Sequence, residues 1–266
     1  MTDSTGKAMG FRNDEDGGTL ETLASRARGT IASRRMSAAS LLSEKFVSDL
    51  DAAARSIESD RRRAVVAAMR DAGIGREDIV DFYIPEVARR MGVEWCEDGM
   101  SFADVTIGVA RLQGLLREIG SDWLDGAGLT RESPGVAVVV TADEFHTLGS
   151  MVLCSQLARL GVSVRLVVGR SQEEVLGGVA DGHFDAIFIS AASGRRLATL
   201  RKLVENIREA SDRPTPIIIG GPIVAREDDV KTKTGADHVT TDPTEALATC
   251  GLKISHSGAR RRATSE

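Results

Sequence analysis

Residues 135–150 read GVAVVVTADEFHTLGS. Val136 to Val140 is an unbroken apolar, β-branched run of strand length, and a polar turn follows it. From Thr147 to Leu160 the spacing changes to that of a helix. A strand that is apolar at every position has no solvent face, so it is buried on both sides, as in a parallel sheet. Four more such runs follow, Val162 to Val168, Ala186 to Ile189, Pro216 to Ile219 and His238 to Thr240. Amphipathic stretches separate them at Gln172 to Asp181, Gly194 to Ala210, Ala225 to Lys231 and Pro243 to Thr249. This alternation predicts a five-stranded, parallel, doubly wound α/β domain over residues 135–252. In such sheets ligands bind beyond the carboxyl ends of the strands.

Upstream the texture is helical. Ala38 to Ile57 places Leu41, Leu42, Phe46, Leu50 and Ala53 on one face. Ser59 or Asp60 is positioned to cap the next helix, which Gly73 ends. A third helix is expected from Arg76 to Met91, and a fourth, capped by Ser101, runs to about Trp123. Short connections predict an antiparallel four-helix bundle over residues 36–125. Residues 1–35 form a polar arm, disordered or helical, and 253–266 a basic tail.

The bulk numbers exclude some classes. Net charge is −5 and the pI near 5.5, which argues against nucleic-acid binding over the whole surface. Cys96, Cys154 and Cys250 are far apart with no CxxC spacing, so neither zinc nor a disulfide framework is expected. No apolar stretch opens the chain and no run is long enough to span a bilayer, so a cytoplasmic protein is expected.

The chemistry is expected after the first, third and fourth strands. There the chain carries Glu144-Phe145-His146-Thr147-Leu148-Gly149, Ser190-Ala191-Ala192 and Gly220-Gly221. Forty residues lie between Gly149 and Ser190, and twenty-seven between Ala192 and Gly220. In order and spacing these resemble the D-x-H-x-x-G, S-x-L and G-G motifs of cobalamin-binding domains of the methionine synthase and methylmalonyl-CoA mutase type. The resemblance implies a Rossmann-like (flavodoxin-like) B12 domain in which His146 ligates cobalt. The dimethylbenzimidazole tail of the cofactor would be displaced and buried along Gly149, Ser190, Ala192, Gly220 and Gly221. A carboxylate hydrogen-bonded to the second imidazole nitrogen fixes the tautomer of such a ligand; Glu144 stands where the family has Asp. Ala192 replaces the Leu of S-x-L. His183 and His238, beside strand starts, are read as structural, and Cys154 as core.

The order of a helical bundle before a B12 domain resembles light-sensing regulators of the CarH type. Their cap carries Trp, nine intervening residues, then Glu-His. Here Trp95 is followed at that spacing by Val105-Thr106, so the upper histidine is missing; Trp95 is either a corrin contact or a core aromatic. Trp123 is read as interdomain packing. The layout, with SFADVTIGVARLQ at residues 101–113 and no independent DNA-binding domain, resembles the AerR/PpaA-type antirepressors. That resemblance implies a non-enzymatic, light-responsive regulator holding adenosyl-, hydroxo- or aquocobalamin. Its partner would be a CrtJ/PpsR-type repressor, with DNA touched only beside that partner, if at all, by basic segments such as Arg26 to Arg35. A corrinoid methyl carrier, a haem-binding sensor of the same fold and a cofactor-free module stay open as alternatives.

Overall fold

The computed structural model describes residues 42–125, 129–130, 132–140, 147–169, 171–180, 182–192, 197–211 and 213–253. Five strands, β1 (Gly135–Val140), β2 (Ser163–Val168), β3 (Ala186–Ser190), β4 (Ile217–Gly220) and β5 (His238–Val239), form one sheet. All neighbouring strands are parallel, in the order β2-β1-β3-β4-β5. Val, Ile and Ala fill β1, β3 and β4 because helices cover both faces there. One face packs Val136, Val138, Ala186, Phe188 and Ile218 against α6 (Thr147–Arg159) and α11 (Pro243–Thr249). The other packs Ala137, Val139, Ile187, Ile189, Ile217 and Ile219 against α7 (Gln172–Ala180), α8 (Leu197–Ala210), α9 (Ile223–Arg226) and α10 (Val230–Thr234). Each fully buried aliphatic side chain contributes about 1.5–3 kcal/mol by leaving water. The five expected strands are all present. The single helix expected from Ala225 to Lys231 is instead two, because Glu227 is extended and Asp229 adopts a left-handed φ of 54° between them.

Before the sheet come α1 (Glu44–Arg55), α2 (Ser59–Asp71), α3, α4 (Phe102–Ile119) and the short α5 (Ser121–Leu124). Helix α3 is continuous through three pieces, Arg76–Asp78, a π-helical Ile79–Tyr83 and Ile84–Cys96, with right-handed helical backbone at each junction. It thus outruns the expected end at Met91. Ser101 caps α4 as expected, its hydroxyl accepting from the Asp104 N–H. The cap of α2 is Glu58 instead, with no side-chain bond to the helix, so neither Ser59 nor Asp60 serves. Helix α4 stops at Ile119, and Trp123 lies in α5. Helices α3 and α4 approach closely at Gly108, where a Cβ would sit 2.8 Å from the Met91 sulfur. Among the described residues no helix is long and apolar enough to cross a membrane.

Candidate functional site at the carboxyl end of the sheet

The strand order reverses direction between β1 and β3, and sheets of this kind bind ligands beyond the carboxyl ends at such a switch point. The register places Val140 beside Ser190 and Ser190 beside Gly220. Alternation along each strand turns this row toward α6 and α11, two positions beyond Val138, Phe188 and Ile218. Helix α6 lies against β1 and β2, and α11 against β5, so the small residues Ser190 and Gly220 end the sheet between two helices. The two glycines are demanded by the backbone itself. Gly221 has φ +94°, and a Cβ there would lie 2.6 Å from the Ala191 carbonyl oxygen; at Gly220 it would meet the Thr240 carbonyl oxygen at 2.8 Å. The turn is closed by the Ala191 N–H donating to the Gly220 carbonyl (3.0 Å) and the Ile223 N–H to the Ala191 carbonyl (3.1 Å). Ala192, buried, follows directly, and its carbonyl accepts from Arg226 at 3.1 Å.

Helix α6 begins at Thr147, with Leu148 buried and Gly149 exposed. A Cβ on Gly149 would meet nothing within 4 Å. Ser150, 1% exposed, shares a helical stripe with Cys154 and Leu157, which pack on the sheet. Its hydroxyl is buried without a hydrogen-bond partner, an arrangement that costs about 1–3 kcal/mol when nothing fills it. Cys154 is core, as expected, and burial pushes its thiol up to about 12. Open space at Gly149, a row of small side chains and an unpaired hydroxyl together fit a flat, partly polar ligand group inserted beside α6. Glu144 and His146 lie outside the described residues, in the segment 141–146 that joins β1 to α6. Among the described residues no cluster of His, Cys, Asp and Glu could hold a metal by itself.

The second wall of α6 meets the helical region, and sequence reasoning did not find these contacts. The Gln113 amide on α4 donates to the Thr147 hydroxyl at 2.8 Å, next to His146 in the chain. One turn on, Arg117 approaches the Met151 sulfur at 4.0 Å. At the far end of α6, Arg159 donates to both carboxylate oxygens of Asp81 at 2.6 and 2.8 Å, and both side chains are only 17% exposed. Asp81 belongs to the π-helical segment of α3. Burial pushes its carboxyl above the ordinary range, and the Arg159 guanidinium opposes that. Arg159 and Arg76 both lie over the Trp123 ring, at 4.9 and 4.7 Å, so Trp123 does pack between the helical region and the α/β half. Breaking a buried pair by removing one partner costs about 3–5 kcal/mol. A neutral hydrogen bond such as that of Gln113 contributes about 0.5–1.5 kcal/mol. Trp95 is 45% exposed and touches Phe102, itself exposed, at a ring distance of 5.9 Å. The reading of Trp95 as a core aromatic is therefore wrong; the turn at Asp98, with φ 58°, leaves both rings at the surface.

The B12 binding domain family matches residues 134–251. A 20.5 kDa protein of the bchF-crtJ intergenic region in Rhodobacter capsulatus is 35% identical over 174 residues, covering 65% of this chain and 90% of that protein. The monomethylamine corrinoid protein of Methanosarcina barkeri superposes with a TM-score of 0.58 at 16% identity, over 78% of this chain and 98% of that one. That likeness is one of fold. A cobalamin-binding protein from Desulfitobacterium hafniense DCB-2 aligns with a TM-score of 0.39 at 14% identity, over 77% and 97% of the two chains. Ser190 and Gly220 end the expected strands at their carboxyl ends, and the matched region contains the whole sheet. The chain therefore belongs to the B12-binding-domain family, in the group that includes the Rhodobacter capsulatus protein.

Proposed function

We propose that this protein is a cytoplasmic, light-responsive antirepressor that binds cobalamin and acts on a CrtJ/PpsR-type repressor without catalysing a reaction. The observation that carries the regulatory half is the 35% identity to a protein of the bchF-crtJ intergenic region, a place beside a repressor gene. His146 would hold the cobalt through an imidazole nitrogen, and Glu144 would fix the tautomer of that imidazole. Thr147, Leu148 and Gly149 hold the start of α6 against the cofactor. Ser190, Ala192, Gly220 and Gly221 leave room for the displaced benzimidazole tail, and the Ser150 hydroxyl offers it a polar partner. The helices before the sheet would cap the corrin as an antiparallel bundle, with the exposed Trp95 available as an aromatic contact. When bound, an alkylcobalamin would supply a light-sensitive absorber of visible light. The helical region then meets a changed surface, and a partner that prefers one arrangement over the other is captured or released.

The experiment is a visible spectrum of the protein mixed with adenosylcobalamin and desalted, before and after illumination, with His146→Ala alongside. A retained corrin spectrum that shifts in light, and is altered in His146→Ala, is expected. Equal affinity of dark and illuminated protein for the repressor would sink the antirepressor reading. The fold match to a monomethylamine corrinoid protein favours a second reading, a methyl carrier. A carrier must cycle readily through Co(I); resistance of the bound cofactor to mild reduction counts against it.

A further inference from the structure

Helix α6 carries two serines whose hydroxyls are buried without a hydrogen-bond partner among the described residues, Ser150 at 1% exposure and Ser155 at 0%. They face different ways. Ser155 belongs to the stripe Thr147, Met151, Ser155 and Arg159, one helical turn apart at each step. The other three members of that stripe touch Gln113, Arg117 and Asp81, so Ser155 faces the helical region. Ser150 belongs instead to the stripe of Cys154 and Leu157, which pack on the sheet.

The level of Ser150 along the sheet follows from helix and strand rises. Strands β1 and β2 are parallel and α6 joins them, so α6 runs antiparallel to β1. From Cys154 back to Ser150 the helix advances about 6 Å. From Val138, packed in one cluster with Cys154, to Val140 the strand advances about 6.6 Å. The Ser150 hydroxyl therefore lies at the level of Val140, Ser190 and Gly220, where the sheet ends in small side chains. A partner for it has to come from a group inserted between α6 and the sheet.

We propose that Ser150 is a specificity-determining residue of the corrinoid site. It donates its hydroxyl proton to a ring nitrogen of the base that ends the inserted tail. The chain thereby selects corrinoids whose tail ends in a nitrogen heterocycle over those ending in a phenol ring. This rests on the cobalamin reading made above. A base lifted off a metal brings a free lone pair that needs a donor once buried. A phenol ring attached through its oxygen brings no ring nitrogen, and the serine stays unpaired.

The test uses the full chain, Ser150→Ala and Ser155→Ala, each titrated in the dark with cobalamin and with a cobamide whose tail ends in p-cresol. Visible spectra read the two affinities. The cost of lifting benzimidazole off cobalt is common to all three chains and cancels between them. Ser150→Ala is expected to bind cobalamin about tenfold more weakly and the p-cresol form within about twofold of the parent. Ser155→Ala, turned to the helical region, should shift neither by more than about twofold. Urea unfolding of the cofactor-free chains is read alongside. The Ser150→Ala midpoint is expected at or above the parent's, because an unpaired buried hydroxyl has been removed. A lower midpoint would mean that the hydroxyl already has a partner, and overturns the proposal. So do equal losses for both corrinoids in Ser150→Ala, unchanged selectivity, or the same selectivity change in Ser155→Ala. A parent that retains neither corrinoid overturns the cobalamin reading underneath; a parent that retains cobalamin beside an equally selective Ser150→Ala overturns this inference alone.

Discussion

At the amino end of the sheet, Asp185 accepts the Gly135 N–H at 2.8 Å while its own N–H donates to the Gly135 carbonyl at 2.7 Å. Asp237 repeats the pattern with Ile217, at 2.8 and 2.9 Å. Arg213 faces Asp185 at 3.9 Å and Arg208 binds Asp237 at 2.9 Å. At the carboxyl end the equivalent row is Val140, Ser190 and Gly220, with no charged side chain in it. The first end closes its own backbone with carboxylates; the second ends in small side chains and a glycine turn. Two hollows, of about 610 and 290 Å³, lie at the amino end, beside Arg208, Arg213, His183 and His238. Strand polarity and the chemistry of the row favour the carboxyl end as the candidate site.

This contrast can be broken most forcefully at Gly221. Gly221→Ala forces a Cβ against the Ala191 carbonyl at a left-handed φ, and should cost on the order of 3 kcal/mol in urea unfolding and also weaken corrin retention. Undiminished stability would mean that the turn is not set by its backbone. Asp237→Ala probes the opposite end and should cost about 2 kcal/mol while leaving corrin retention as it was. Burial works against the Asp237 carboxylate, but the Ile217 N–H and Arg208 outweigh it and hold the group below the ordinary carboxylate range. Its contribution is therefore complete above that range and lost as pH falls through the depressed value. A pH titration of stability should show a shallower acid-side decline in Asp237→Ala than in the parent. The smallest effect is expected for His183→Gln, an exposed residue at the lead-in to β3. Less than about 0.5 kcal/mol and an unaltered corrin spectrum are expected; a spectral change would bring the amino end into the site.

The strands were legible because runs such as Val136 to Val140 and Ile217 to Ile219 leave no polar face to mistake for anything else. Positions of the motif residues followed from them, since a residue after a buried parallel strand can only lie at its carboxyl rim. Other features have no signature in spacing. The break between α9 and α10 depends on an extended Glu227 and a left-handed Asp229 among residues that would all accept a helix. Gln113 sits on a polar stripe of α4 and reads as solvated until its partner, 34 positions on, is known. The same holds for Arg159 and Asp81, which look like ordinary surface charges in their own helices. Their pairing across 78 positions is a tertiary fact. Ser150 and Ser155 are small hydroxyls in a largely apolar helix, and only their burial without a partner marks them.

The π-helical turn at Ile79–Tyr83 has a consequence for the end of α3. Such a turn holds one residue more than the α-turn it replaces, which rotates everything after it by about 100°. Asp81 is thereby turned to Arg159 without disturbing the buried Ile84, Val87 and Met91 that follow. The bearing of Trp95 is accordingly decided well upstream of it. Shortening the turn by a single residue would spin the indole to a different side of the molecule while every residue around it kept its identity.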